Sequence, residues 1–306
     1  MMCVVIEDDA AVLHSVLREK SAMRHRTSNW PDAWLPVPYK RERASVRLFC
    51  FPYAGGSSTD PVFRQWANAM PAEVELCILE TPGRARRMTE PLEASLPRLV
   101  ERLVPVFAAC TDKPFVFFGH SLGAIVAYEL ARALAAAKLP CPSQLIVSAK
   151  QAPHLPYTRR LFDLPREQFI DALRELNGTP DELLQNEELL DLVVAVLRND
   201  LEMAFNYRYS GAPLRHVPIL AFGGRDDPHV DIQTVLAWKT HTAQFRSEIY
   251  PGGHFYLQRE SKNVVRDRMV DIMAALARDV GNRCGATGAI AADDERQWRN
   301  AFTTAT

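Results

Sequence analysis

From Ser45 onward the chain alternates short apolar runs with longer amphipathic stretches. The runs are VRLFCF (46–51), VELCIL (74–79), FVFF (115–118), QLIVS (144–148), PILAF (218–222) and FRSEIY (245–250), rich in β-branched and aromatic residues. Runs of this kind separated by helical segments predict an α/β fold, a mostly parallel sheet flanked by helices on both faces. Two of the intervening segments carry a helical signature. AIVAYELARALAAAK after Ser121 is built from strong helix formers, and Val265, Met269, Ile272 and Leu276 recur at helical spacing on one face.

The flanks differ. Residues 1–44 mix charges with Trp30, Pro31, Trp34, Pro36 and Pro38 and hold no period of 2 or 3.6, so they read as a loosely held, flexible extension. After Gly281 the apolar period is lost again, and residues 281–306 read as a disordered tail. That leaves one domain over 45–280. Inside it, between the fourth and fifth runs, lies an insertion at about 153–218. Asn177-Gly178 is a helix stop, and Thr179-Pro180-Asp181-Glu182 is a capping box with proline in the first turn. A further helix presents Leu190, Val193, Val194, Leu197 and Leu201 on a common face. An insertion at this point sits over the C-terminal edge of the sheet, where ligands bind, and reads as a lid.

Composition narrows the partners. The 306 residues carry 36 Lys+Arg against 37 Asp+Glu, a formal charge of −1, which lacks the net attraction that nucleic-acid and anionic-membrane binders rely on. The six cysteines are scattered with no C-x-x-C pair, which argues for reduced thiols rather than a zinc site or disulfide frame. MMCVVIEDDA has no basic segment before its apolar stretch, and the longest weakly charged stretch, Phe115 to Tyr128, is shorter than the ~20 residues a membrane span needs. A cytoplasmic monomer with no membrane or nucleic-acid partner is the expectation.

The chemistry centres on Gly119-His120-Ser121-Leu122-Gly123, a G-x-S-x-G sequence set between the apolar run FVFF and a helix. This context fits a nucleophile elbow, where the serine occupies a strained strand-to-helix turn and side chains at the flanking glycines would collide with backbone. Serine needs a base, and the base an orienting carboxylate. In α/β-hydrolases these follow in the order serine, acid, histidine on loops after later strands. Gly223-Gly224-Arg225-Asp226-Asp227-Pro228 follows PILAF, and Pro251-Gly252-Gly253-His254 follows FRSEIY. His254 is therefore the candidate base. Asp227, at the tip of its turn before proline, is favoured as the acid over Asp226, which would face solvent or brace the turn. The oxyanion requires two donors. The N–H of Leu122 is one; Ala54, in the Gly-rich loop after the first run, is the other, with Tyr53 as alternative. No metal or cofactor is required.

With these residues in hand, FCFPYAGGSS, ETPGRARRMTEPLEASLPRLVERL, FFGHSLGAIVAYELAR, GGRDDPHV and YPGGHFYL together resemble the type II thioesterases of polyketide and nonribosomal peptide biosynthesis. The resemblance spans Val46 to Val280 and implies an α/β-hydrolase with a helical lid. It implies hydrolysis of acyl thioesters on the phosphopantetheine arm of acyl or peptidyl carrier proteins, an editing role. Ser121, Asp227 and His254 fall on the family triad, and Leu122 and Ala54 on its oxyanion positions. Tyr53 stands where histidine is common in the family, and Ala149-Lys150 where Gly-Arg is expected. The family's chains begin shortly before the segment seen here as Trp34-Leu35-Pro36, which makes Met23 a candidate start. The arginines at 84, 86 and 87 read either as a solvated turn or as a contact for the carrier. The rival functions are a small-molecule carboxylesterase or lipase and a non-catalytic binding module; the intact serine, acid and histidine argue against the latter.

Overall fold

Each of the six apolar runs forms a strand: β1 Val46–Phe51, β2 Val74–Ile78, β3 Phe115–His120, β4 Gln144–Ser148, β5 Ile219–Gly224 and β6 Phe245–Tyr250. The computed structural model describes residues 30–36, 41–176 and 187–302. The strands lie in the order β2-β1-β3-β4-β5-β6, every neighbour parallel. Every residue of β1, β3 and β5 is buried. Their largely apolar sequence follows from helices covering both faces, and the charged exception, Arg47 of β1, pairs with Glu75 at 2.8 Å.

On one face, α2 (Leu96–Ala108) and α3 (Leu122–Ala136) cover Phe49, Phe51 and Phe117, which meet Phe107 of α2 at ring-centroid distances of 4.9–5.7 Å. On the other, α1 (Pro61–Ala69) and α7 (Lys262–Phe302), which follows the short α6 (Ile232–Leu236), cover Leu48, Cys50, Val116 and Phe118. Val265 and Met269 are buried as their spacing predicts. Met273 and Ala277 complete the buried face, with Ile272 and Leu276 only partly covered at its rim. The insertion builds its own small core, in which Phe169, Ile170 and Leu173 of α4 (Arg166–Leu176) pack on Leu190, Val194 and Leu197 of α5 (Glu187–Asn206). The helix stop and capping box over 177–182 lie outside the described residues. Among the described residues no helix is long and apolar enough to cross a membrane.

Three observations bear on the flanks and on the arginine turn. The extension is not loose throughout, because residues 30–36 dock on the domain. Leu35 is fully buried, the Trp30 indole N–H donates to the Leu35 carbonyl at 2.7 Å, and Glu80 N–H donates to the Trp34 carbonyl at 2.8 Å. Guanidinium groups of Arg87 and Arg102 lie 3.9 and 4.9 Å from the Trp34 ring centroid. Stacking on arginine and one buried leucine anchor a segment without periodicity. Residues 1–22 and Met23 lie outside the described residues. At the other end, α7 continues to Phe302, through the expected tail. Loss of an apolar face removes a packing surface but not helix propensity, and 281–302 is rich in alanine and free of proline.

The arginine turn is the third. Arg84 and Arg87 are not solvated: Arg84 forms a two-pronged ion pair with Asp200 of α5 at 2.7 and 2.9 Å, and Arg87 pairs with Glu90 at 2.6 and 2.7 Å. Only Arg86 remains exposed, donating to the Asp32 carbonyl.

Candidate active site

The loops that follow β1, β3, β4, β5 and β6 meet at the C-terminal edge of the sheet, where the strand order reverses between β1 and β3. Ser121 connects β3 to α3 with φ 53° and ψ −117°, a left-handed conformation that an ordinary side chain rarely adopts. The flanking glycines explain how the turn closes. A Cβ on Gly119 would overlap the backbone of Gly123, and one on Gly123 would overlap the carbonyl oxygens of Phe51 and Pro52. The second contact presses the start of α3 onto the loop after β1, bringing Leu122 and Ala54 to one cleft with Ser121.

His254 follows β6, and its Nε2 lies 3.1 Å from Ser121 Oγ. Its Nδ1 lies 2.8 Å from Asp227 Oδ2. Asp227 is only 1% exposed, and its other oxygen accepts the backbone N–H groups of His229 at 2.8 Å and Val230 at 3.2 Å. With both Asp227 oxygens facing N–H donors, the Nδ1–H of His254 donates to Oδ2 and Nε2 is left to accept from Ser121. Asp226 is exposed and braces the turn instead, its carboxylate accepting Gly252 N–H at 3.2 Å. Gly224 lets the two loops touch, since a Cβ there would overlap the Gly253 carbonyl.

Under this triad of side chains lies a second polar layer that the sequence did not signal. His120 is fully buried, its ring centroid 5.4 Å from that of His254, and its Nδ1 contacts Ser148 Oγ at 2.8 Å; Ser148 contacts the Tyr256 hydroxyl at 2.6 Å. Burial holds His120 well below the usual histidine range and so neutral. Tyr53, in the position where the resemblance expects histidine, has its hydroxyl between Asp60 and Gln258 Nε2. Ala149 has φ 47°, the conformation glycine adopts without strain, in keeping with the glycine expected there.

Three further residues had no role in the sequence reading. Asp200, 145 positions from Gly55, accepts the Gly55 N–H at 2.8 Å as well as the Arg84 guanidinium, tying α5 to the loop that carries Ala54. Lys150 and His229 line the same cleft as Ser121. The cleft, about 790 Å³ with its open mouth, is otherwise walled largely by apolar side chains of the insertion, Leu161, Leu173, Leu197 and Leu201 among them. Ser121 lies at the edge of this largely apolar space.

Residues 46–271 match the thioesterase domain family. The chain is 36% identical over 248 residues to gramicidin S biosynthesis protein GrsT of Aneurinibacillus migulanus, covering 80% of this chain and 96% of that one. It is 35% identical over 240 residues to thioesterase PikA5 of Streptomyces venezuelae, covering 78% and 83%. Among solved structures, the type II thioesterase BorB from the borrelidin biosynthetic cluster superposes with a TM-score of 0.72 at 31% identity, covering 81% of this chain and all of BorB.

Proposed function

Since the chain belongs to the thioesterase domain family and so hydrolyses thioesters, we propose that Ser121 is its nucleophile and carrier-bound acyl groups are its substrates. The reading rests above all on the continuous contact chain from Ser121 Oγ through His254 to buried Asp227. His254 Nε2 takes the Ser121 hydroxyl proton as Oγ attacks the thioester carbonyl carbon. The tetrahedral oxyanion is received by the N–H groups of Leu122 and Ala54, and the helix start at Leu122 adds its positive dipole end. Collapse breaks the carbon–sulfur bond, and the imidazolium protonates the departing thiolate. The resulting acyl-serine is attacked by water, whose proton His254 accepts, and collapse of the second intermediate returns that proton to Ser121 and frees the acid. Asp227 holds the required tautomer throughout.

Relatives named for gramicidin S and borrelidin biosynthesis support this substrate class. We propose the corresponding role here, removal of stalled or misprimed acyl groups from the phosphopantetheine arm of acyl or peptidyl carrier proteins in the cytoplasm, with the 153–218 insertion acting as the lid. The test compares kcat/KM for one short acyl group on a carrier protein, on a small thiol and on a matched oxyester. The expected order is carrier, thiol, oxyester. An enzyme that ignores the carrier-bound acyl group and prefers a p-nitrophenyl or triglyceride ester is a carboxylesterase or lipase.

A further inference from the structure

Tyr53 lines the cleft beside Ser121, yet the proposed chemistry makes no use of its side chain. It lies directly before Ala54, and its hydroxyl is held by two partners on different elements. The hydroxyl donates to Asp60 Oδ2 at the N-terminus of α1 and accepts from Gln258 Nε2 at 2.6 Å, four residues past His254. Asp60 is 7% exposed, and its other oxygen accepts the Val62 N–H at 2.9 Å as the cap of α1. The Tyr53 ring meets Phe255 edge-on with centroids 4.9 Å apart, and Phe255 in turn meets His254 at 5.1 Å.

These contacts reach the chemistry through one peptide unit. The Tyr53 carbonyl and the Ala54 N–H belong to the same planar trans peptide, so whatever fixes the carbonyl also fixes where the N–H points. The carbonyl accepts the Gly56 N–H at 2.9 Å, and the side chain of the same residue is anchored at its far end by Asp60 and Gln258. Burial, and then the Asp60 charge, push the Tyr53 hydroxyl up, so it stays protonated and is the donor in that pair. Asp200 holds the far side of the loop at Gly55, while the hydroxyl holds the near side and ties it to the segment that carries His254. A histidine in this place, the residue common in the family, ends short of a tyrosine hydroxyl and would not make the same pair of contacts.

We infer that Tyr53 is a positioning residue for the hydrolysis: its hydroxyl, joined to Asp60 and Gln258, sets the spacing between the Ala54 N–H that receives the oxyanion and the His254 ring that moves the proton. The inference rests on the serine thioesterase reading. An oxyanion forms both in acyl transfer to Ser121 and in acyl transfer to water, so both steps depend on that spacing. The bound substrate before attack does not, and the loss belongs in kcat rather than KM.

Tyr53→Phe keeps the ring and removes only the hydroxyl. On one acyl thioester it should lower kcat by about tenfold, part of the roughly 10²–10³ that full loss of an oxyanion donor costs, with KM within about twofold of wild type. Expressing kcat per active site, counted by exhaustive labelling with a fluorophosphonate, keeps a loss of folded protein from mimicking the result. A trifluoromethyl ketone thioether gives a second readout. Ser121 Oγ bonds to its carbonyl carbon, the carbonyl electron pair moves onto oxygen as a stable oxyanion, and the serine proton passes to His254. Its Ki should rise in Tyr53→Phe by the factor that kcat falls, whereas the analogue with CH2 in place of the carbonyl, which forms no oxyanion, should bind as it does to wild type. Gln258→Leu cuts the connection on the His254 side alone and should lower kcat in the same way. The double variant should be no slower than Tyr53→Phe, since the two changes break one connection. Unchanged kcat per site and unchanged Ki in Tyr53→Phe overturn the inference, whether or not Tm falls, as does an effect carried wholly by KM. Effects that multiply in the double variant overturn it too, because the hydroxyl then does not carry the influence of Gln258. Each of these results leaves the thioesterase reading in place when Ser121→Ala is inactive; an active Ser121→Ala overturns both.

Discussion

Replacing Asp200 by alanine should damage stability and catalysis together, because one carboxylate serves two elements. Its side chain is 1% exposed and that of Arg84 is 9% exposed, and the pair is joined at 2.7 and 2.9 Å. Removing one partner of a buried ion pair leaves an uncompensated charge and costs about 3–5 kcal/mol. For a domain of this size each kcal/mol lowers Tm by about 2–4 °C, so the expected drop is roughly 6–20 °C. The same change removes the acceptor of the Gly55 N–H, 2.8 Å away, and frees the loop that holds Ala54. Full loss of an oxyanion donor costs about 10²–10³ in kcat, and a loosened one should cost about tenfold. The assay is a thermal melt by circular dichroism paired with steady-state thioester hydrolysis. Arg84→Met combined with Asp200→Leu should be less destabilised than Asp200→Ala, since no charge is then left unpaired. A Tm within about 2 °C of wild type, with unchanged kcat, would refute the claim that this contact latches the insertion to the site.

Other changes test the site piece by piece. Asp227→Asn should lower kcat by about 10³–10⁴ through the wrong His254 tautomer, whereas Asp226→Asn should cost less than about tenfold; kinetics on one acyl thioester ranks them, and the reverse order moves the acid to Asp226. Gly123→Ala should lose activity and folded yield together, while Gly253→Ala, whose Cβ would meet only the Asp226 carbonyl oxygen at 3.8 Å, should retain both, as soluble expression and turnover will tell. Leu35→Ala should destabilise by about 2–5 kcal/mol in a denaturant titration, where a truly loose extension would show no change.

How far the sequence alone leads depends on the range of the interaction. Strands such as β1 and β4 were legible to the residue, because burial on both faces demands a largely apolar sequence. The elbow at Ser121 was legible because its glycines are local steric requirements, and His254 followed from its place after the last strand. The contact between Asp200 and Gly55 left no local trace, since the tertiary fold alone brings together residues 145 positions apart. Trp34 and Leu35 escaped because arginine stacking and a single anchor have no period. Lys150 registered only as a departure from the family pattern, and its burial in the cleft depends on where β4 ends. His229 was two residues from the expected acid and could have been found by asking what else that loop must carry.

The claim that matters most is that Ser121 carries the acyl group between thiol and water. Rapid quenching of the protein during hydrolysis of an acyl-carrier thioester, followed by mass spectrometry of its peptides, reads this directly. The acyl mass is expected on the peptide containing Ser121, and Ser121→Ala is expected to lose about 10⁴–10⁶ in turnover with the fold unchanged. Acyl mass on another residue, or undiminished turnover in Ser121→Ala, would contradict it.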